Sequence, residues 1–189
     1  MKTRSAKAKG RRVQNWLHDE LHYLFPELEP DDIIPRQMGG AGEDIMLSPA
    51  ARKLIPCSFE CKNVEKLSLH AAMRQAEANA NGLIPVVIFK KNYTPYGAAI
   101  AAKDLLDLSL RYKQVCSLTP IVLCSDMSKL RKINMQRVYA DLLHRPDVAN
   151  LVCLNQNNTI IMQAVNFLDI VKNADKELKS RLARKASRA

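Results

Sequence analysis

No apolar stretch of the 189-residue sequence approaches the roughly 20 residues of a membrane span, and the longest run, Ile84 to Phe89, has the length of a strand. The basic segment Met1 to Arg12 lacks the apolar centre of a secretory signal. Neither a membrane-spanning nor an exported protein is expected, and the expected location is cytoplasmic. Paired cysteine spacing is missing as well. The five cysteines, Cys57, Cys61, Cys116, Cys124 and Cys153, are odd in number, sit mostly among apolar neighbours and form no CxxC pair. That pattern argues against a disulfide framework and against structural zinc, and fits buried thiols in a reducing compartment. Acidic residues are the minority: 19 Asp and Glu stand against 29 Lys and Arg, a net charge of +10. Such a balance favours partners dense in negative charge, nucleic acid first. The basic ends are too poor in large apolar residues to form an insertion face, so no membrane partner is expected.

What is present is enough for one α/β domain: 47% of the chain is hydrophobic. From Arg11 to Phe25 the residues Val13, Trp16, Leu17, Leu21 and Leu24 recur at three and four, an amphipathic helix stopped by Pro26. Glu20 lies within that stripe, between Trp16 and Leu24, so a carboxylate is aimed inward and needs a cation or a solvated cleft; the alternative is an ordinary edge residue of a wide helix face. His18 and His22 lie on the other side, where solvent exposure is the expectation. Residues 27–43 are rich in proline, glycine and acidic residues, and the run Met38-Gly-Gly-Ala-Gly-Glu43 reads as a flexible or tightly turned loop. Asp44 to Leu47 reads as a strand, Ser48 to Arg52 as a turn, and Ile55 to Asn63 as the second strand of an antiparallel pair.

Period two places Ser58, Glu60 and Lys62 on one face of that second strand and Cys57, Phe59 and Cys61 on the other. Ser68 to Ala80 is an alanine-rich helix with Leu69, Ala72, Met73, Ala76 and Ala80 on its packing face. Ile84 to Phe89 has the composition of a central strand buried on both faces. A strand over Tyr96–Ala101 and a helix over Lys103–Tyr112 follow. Beyond them the pattern predicts a strand at Ile121–Cys124, a helix at Lys129–His144, a hairpin of Leu151–Leu154 with Thr159–Gln163, and a helix from Phe167 into a basic tail.

Chemistry concentrates at Asp44, Glu60 and Lys62. Hydrolysis of a phosphodiester requires an activated water, relief of charge growing on the phosphate and help for the leaving oxygen, all of which carboxylate-held divalent metals supply. Two carboxylates about 4 Å apart repel by about 4 kcal/mol at an effective dielectric near 20, and a cation relieves that repulsion. Lys62, on the same face as Glu60, is placed to orient water or to stabilise charge on the phosphate. An ExK triplet alone is weak: about one is expected by chance in a chain of this size, and Glu177-Leu-Lys179 is a second, in a charged helix. The first has context, at the end of an apolar strand, after an aspartate that opens the preceding strand and a glycine-rich approach. The plain alternative is a salt-bridged pair on a surface strand.

Gly42-Glu-Asp44-Ile-Met-Leu followed by Ser58-Phe-Glu60-Cys-Lys62-Asn63 resembles the bipartite motif of PD-(D/E)XK nucleases, and Gln75 in Met73-Arg-Gln-Ala-Glu77 is similar to the glutamine of the helix that follows it. The inward Glu20 resembles the extra metal-binding glutamate of the Holliday-junction resolvase branch. The resemblance covers roughly residues 11–107. It implies an α/β fold with a mixed central sheet flanked by helices, a restriction-endonuclease-like αβββαβ core with a C-terminal α/β extension. It further implies a Mg-dependent DNA endonuclease, with Mn as substitute. Glu20, Asp44, Glu60 and the Cys61 carbonyl would be the metal ligands, Lys62 would be catalytic, and Gln75 would orient the site. Branched or junction DNA is the implied substrate and a homodimer the implied assembly. Glu43, next to Asp44, is an alternative ligand, although alternation allows only one of the two in the cleft.

The corresponding domain map is a basic arm over 1–10, the core over 11–112, an extension over 113–171 and a basic tail over 172–189. Arg36, Arg52, Lys90 and Lys91, with the basic ends, are candidates for the DNA backbone. Two other readings stand beside this one: a restriction-type or repair nuclease acting on linear DNA, and a basic nucleic-acid-binding protein without catalysis.

Overall fold

The computed structural model describes residues 2–37, 39–111, 153–154 and 159–173. The first helix, α1, runs over Lys2–Leu24, longer than the apolar stripe predicts. The basic arm read over 1–10 is helical from Lys2 onward, where alanine, lysine and arginine, all good helix formers, outnumber Thr3, Ser5 and Gly10. Val13, Leu17, Leu21 and Phe25 are fully buried on its inner face, and burial of each such side chain stabilises the fold by about 1.5–3 kcal/mol.

A 3-10 turn, Pro30–Asp32, leads into strand β1, Ile33–Pro35, which pairs antiparallel with β2, Ile45–Leu47. Strand β1 has no counterpart in the sequence reading, because three residues ending in proline leave too little periodicity. Ser48 to Arg52 is a helix start, not a turn. Helix α2 spans Pro49–Leu54, with Pro49 at its first position and the Ser48 side chain accepting from the Ala51 N–H at 3.1 Å. Ser48 Oγ also donates to the Asp32 carboxylate, which holds the Asp32 carboxyl below its ordinary range.

Strand β3, Cys57–Asn63, does not form the expected antiparallel ladder with the Asp44 segment. It pairs in parallel with β4, Ile84–Lys90, through the crossover helix α3, Leu69–Asn79. The α2 insertion takes the place of a tight turn, so β2 completes its ladder with β1, and Asp44, just before β2, makes one backbone hydrogen bond to β3, from its N–H to Phe59 O at 2.8 Å. Strand β5, Gly97–Ala101, is antiparallel to β4 and precedes α4, Ala102–Arg111. Strands β6, Cys153–Leu154, and β7, Thr159–Gln163, form the expected hairpin, and β7 pairs with β5. The protein is thus α/β, with a mixed sheet ordered β3-β4-β5-β7-β6 whose last strand is only two residues long. Residues 164–173 are helical. The strand expected at Ile121–Cys124, the helix at Lys129–His144 and most of the basic tail lie outside the described residues.

Two cores flank this sheet. Cys57, Phe59 and Cys61 of β3, with Val86, Ile88, Ala98 and Ile100, pack against α1, α4 and the helix 164–173. Val87, Phe89, Ala99 and Ile161 face α3 through Leu69, Ala72, Met73 and Ala76, the packing face expected from its sequence. The alternation of β3 therefore separates an apolar side under α1 from the Glu60 and Lys62 side under α3. Among the described residues no helix is long and apolar enough to cross a membrane.

Candidate active site

Asp44 sits in the last position before β2, against the open edge of β3. Its Oδ2 accepts from the Cys61 N–H at 2.6 Å, and its Oδ1 accepts from Gln14 Nε2 at 2.9 Å. A strand residue sends its N–H and C=O to the same side, so the Cys61 carbonyl faces the edge that Asp44 occupies. Glu60 is buried at 3% exposure on the α3 face. Its Oε1 accepts from Lys62 Nζ at 2.7 Å, and its Oε2 from Asn79 Nδ2 at 3.4 Å. Lys62 Nζ also donates to Gln75 Oε1 at 2.8 Å. One ammonium thus bridges the strand carboxylate and the helix glutamine, at the solvent-facing side of the cluster.

Burial raises the Glu60 carboxyl above its ordinary range, the hydrogen bond from Lys62 pulls it back, and the charge of Asp44 raises it again. Asp44 is itself bonded to the N–H of Cys61, the residue after Glu60. Burial, followed by the charges of Asp44 and Glu60, also lifts the Cys61 thiol well above its usual value, so it is no nucleophile. Cys57 is likewise a buried free thiol.

Glu43 and Asp44, equivalent candidates in the sequence, take different partners: Asp44 meets the Cys61 N–H and Glu43 meets Arg52. Glu43 is buried, its Oε1 accepts from Arg52 Nη2 at 2.7 Å and its Oε2 has no partner among the described residues. Arg36 Nε donates to the Glu43 carbonyl at 2.6 Å, and the Arg36 side chain lies against Gly40 and Gly42. Arg52 Nε donates to the Leu47 carbonyl at 3.0 Å. Both arginines, expected at the DNA backbone, are engaged in fastening the 36–44 loop. That loop is also tied to α3 by Asn79 Nδ2, which donates to the Gly42 carbonyl at 3.1 Å.

Asp44, Glu60, Lys62 and Gln75 are brought together; Glu20 is not. Glu20 makes no hydrogen bond or ion pair among the described residues, and Gln14 is the α1 side chain that reaches Asp44. Six residues separate the two, about 9 Å along the helix and about 120° around it. Counting Gln14, at 2% exposure, as part of the inner face turns that face away from Glu20. His18 and His22 meet edge to face, with ring centroids 4.6 Å apart, and His18 Nδ1 contacts Asp19 at 2.8 Å. Lys90 and Lys91 lie at the end of β4, on the wall of a basic cleft described below.

Two residues of the cluster escaped the sequence reading, Gln14 and Asn79. A signal existed for each. Gln14 is a polar side chain inside an apolar stripe, and Asn79 is one helical turn beyond Gln75 on the same side of α3. Asp44, Glu60 and the Cys61 carbonyl are the groups able to share a cation. Among the described residues no three His, Cys, Asp or Glu side chains converge. No family model, curated protein or solved structure matches the chain.

Proposed function

We propose that the protein is a divalent-metal-dependent DNA endonuclease of the PD-(D/E)XK type. The observation that carries this reading is the Lys62 ammonium held between Glu60 and Gln75, with Asp44 bonded to the N–H of Cys61, the next residue of the strand. The element order supports it: α1, β1, β2, β3, α3 and the parallel β4 follow the αβββαβ order of a restriction-endonuclease-like core, with α2 inserted before β3.

The donor set fits magnesium, which prefers oxygen ligands and keeps several waters, so two carboxylates and one carbonyl suffice. In this reading Asp44, Glu60 and the Cys61 carbonyl hold the ion, with manganese as a substitute. When bound, it would supply an acidified water and offset charge on the phosphate. The chain's own groups do the rest. Gln14 and the Cys61 N–H hold the Asp44 carboxylate at the β3 edge. The Lys62 hydrogen bond favours ionised Glu60 despite its burial, and the ammonium, exposed on one side, stabilises negative charge developing on the phosphate oxygens. Gln75 fixes the Lys62 rotamer. Glu20, on the flank of α1, is left out of the ligand set.

Branched DNA as substrate and a two-fold dimer come from the resemblance to junction resolvases; a dimer would present two sites to two strands. The decisive experiment compares cleavage of a four-way junction with a linear duplex of equal sequence, with and without magnesium. An Asp44→Asn variant that stops cutting but keeps salt-dependent binding is the expected result. Folded wild-type protein that cuts no DNA with magnesium or manganese would leave the competing reading, a basic nucleic-acid binder in which Glu60 and Lys62 are a structural pair.

A further inference from the structure

A cleft of about 390 Å³ opens at the carboxyl ends of β3 and β4, where ligands tend to bind in open α/β sheets. Asn63 marks its position. It follows Lys62 on β3, so alternation turns it to the opposite face, where its Nδ2 donates to the Lys9 carbonyl of α1 at 3.0 Å. Asn63 thus lies on the face of β3 opposite Glu60 and Lys62.

Four cations line the cleft, Lys9 and Arg12 from α1 and Lys90 and Lys91 from the end of β4, and its described lining holds no carboxylate. Elements some 80 residues apart in sequence bring these like charges around one concavity. Lys90 Nζ is placed by a hydrogen bond to the Thr94 carbonyl and lies 4.9 Å from the centre of the Tyr96 ring. Tyr96 in turn stacks on Trp16, with centroids 3.8 Å apart and planes within 5°. The β4–β5 turn is pinned from outside by Glu65 Oε1, which accepts from the Asn92 N–H at 3.1 Å.

At the rim stands Tyr93. It is 93% exposed, and its φ of +60° is a left-handed conformation that a tyrosine adopts only at a cost. Its ring makes no hydrogen bond or ring contact among the described residues. A presented aromatic face beside a cluster of cations is the chemistry by which proteins hold single-stranded nucleic acid, with bases stacked and phosphates paired.

We propose that this cleft binds a single-stranded segment of DNA, with Lys9, Arg12, Lys90 and Lys91 meeting its phosphates and Tyr93 stacking on an unpaired base. Naming DNA rests on the nuclease reading; the stacking and charge do not. Such a segment would have its strand already engaged there, so selection of unpaired DNA belongs to this surface.

Binding of a short single-stranded oligonucleotide and of a blunt duplex, measured by fluorescence anisotropy in EDTA across a salt series, tests the proposal without any cleavage. Arg12→Ala combined with Lys91→Ala should flatten the slope of log K against log salt for the single strand by about 1.4, roughly 0.7 for each lost phosphate contact. Tyr93→Asn, which suits the left-handed backbone but has no ring, should weaken single-strand binding about tenfold. Its duplex binding should change less than twofold, and Tyr93→Phe should bind both as the parent does. Unaltered single-strand affinity in Tyr93→Asn, or equal losses on duplex and single strand, would overturn the proposal. So would full competition by millimolar inorganic phosphate, which would reduce the cleft to a simple anion site. Loss of single-strand binding in a protein that never cuts DNA would retain the cleft and remove the nuclease.

Discussion

Gln14 Nε2 donates to Asp44 Oδ1 at 2.9 Å, joining the middle of α1 to the start of β2 across thirty positions of sequence. The other end of the same amide, Oε1, is buried without a partner among the described residues. A buried amide with one end unsatisfied costs stability, so its retention is best explained by what it does to Asp44. Replacing Gln14 with leucine removes both the orphan acceptor and the donor to Asp44. Cleavage should fall about 10- to 100-fold, the usual effect of losing a group that orients a metal ligand. Stability in urea should change by less than about 1 kcal/mol, since half-buried Asp44 can turn to water. Unchanged cleavage with a large loss of stability would make Gln14 a purely structural residue.

Glu60 ties stability to pH. Its carboxyl is raised by burial above an ordinary value near 4.5, with Asp44 adding to the rise and Lys62 opposing it. A raised folded value means that the neutral form is the one folding favours. Its contribution is complete below about pH 4.5 and is lost as the pH climbs through the folded value. Without added metal, Glu60→Gln should therefore be more stable than the parent at pH 7, and the gap should close toward pH 4. Urea unfolding at the two pH values checks this. A variant less stable at pH 7 than at pH 4, relative to the parent, would mean that the Lys62 pairing outweighs the burial.

The Glu43 and Arg52 pair locks the 36–44 loop. Glu43 is 4% exposed at its side chain and already has one oxygen without a partner, whereas Arg52 is 38% exposed. Arg52→Ala leaves the buried carboxylate alone and should cost about 3 kcal/mol, with Tm falling accordingly. Adding Glu43→Leu to that variant should recover most of the loss, because the uncompensated charge is gone. Failure of the double variant to recover would place the energy in the Arg52 bond to the Leu47 carbonyl. Weakened DNA binding in fully folded Arg52→Ala, by contrast, would return this arginine to the DNA surface.

Gly97 is required where β5 passes β4. A Cβ there would come within 2.3 Å of the Phe89 ring, and Phe89 is itself buried against α3. Gly97→Ala should destabilise by about 1–3 kcal/mol or more through overpacking. Combining it with Phe89→Leu, which vacates the ring position, should be less destabilising than the sum of the two changes. Additive losses in denaturant would show that the clash is relieved elsewhere.

Much of the local structure was legible in the residues. Ser58, Glu60 and Lys62 separate from Cys57, Phe59 and Cys61 because a strand has a period of two, whatever surrounds it. Leu69, Ala72, Met73, Ala76 and Ala80 form one face because a helix has a period of 3.6. Ile84 to Phe89 had to be central because it has no polar side to give to water. These are properties of a few consecutive residues, and the chain carries them in order. The shared face of Glu60 and Lys62 was readable for the same reason.

Pairing and partnership were decided by the tertiary structure. Whether β3 joins β2 or β4 depends on which edge offers a full ladder, and the short Ile33–Pro35 strand, almost silent in sequence, took β2 and left β3 to β4. Which α1 side chain meets Asp44 depends on the rotation of a helix by tens of degrees, finer than an apolar stripe defines, so Gln14 stands where Glu20 was expected. Glu43 and Asp44 are equivalent as residues. Only the hairpin's orientation sends one to Arg52 and the other to the edge of β3. Hydrogen bonds between elements far apart in the chain are set by packing, and no local period encodes them.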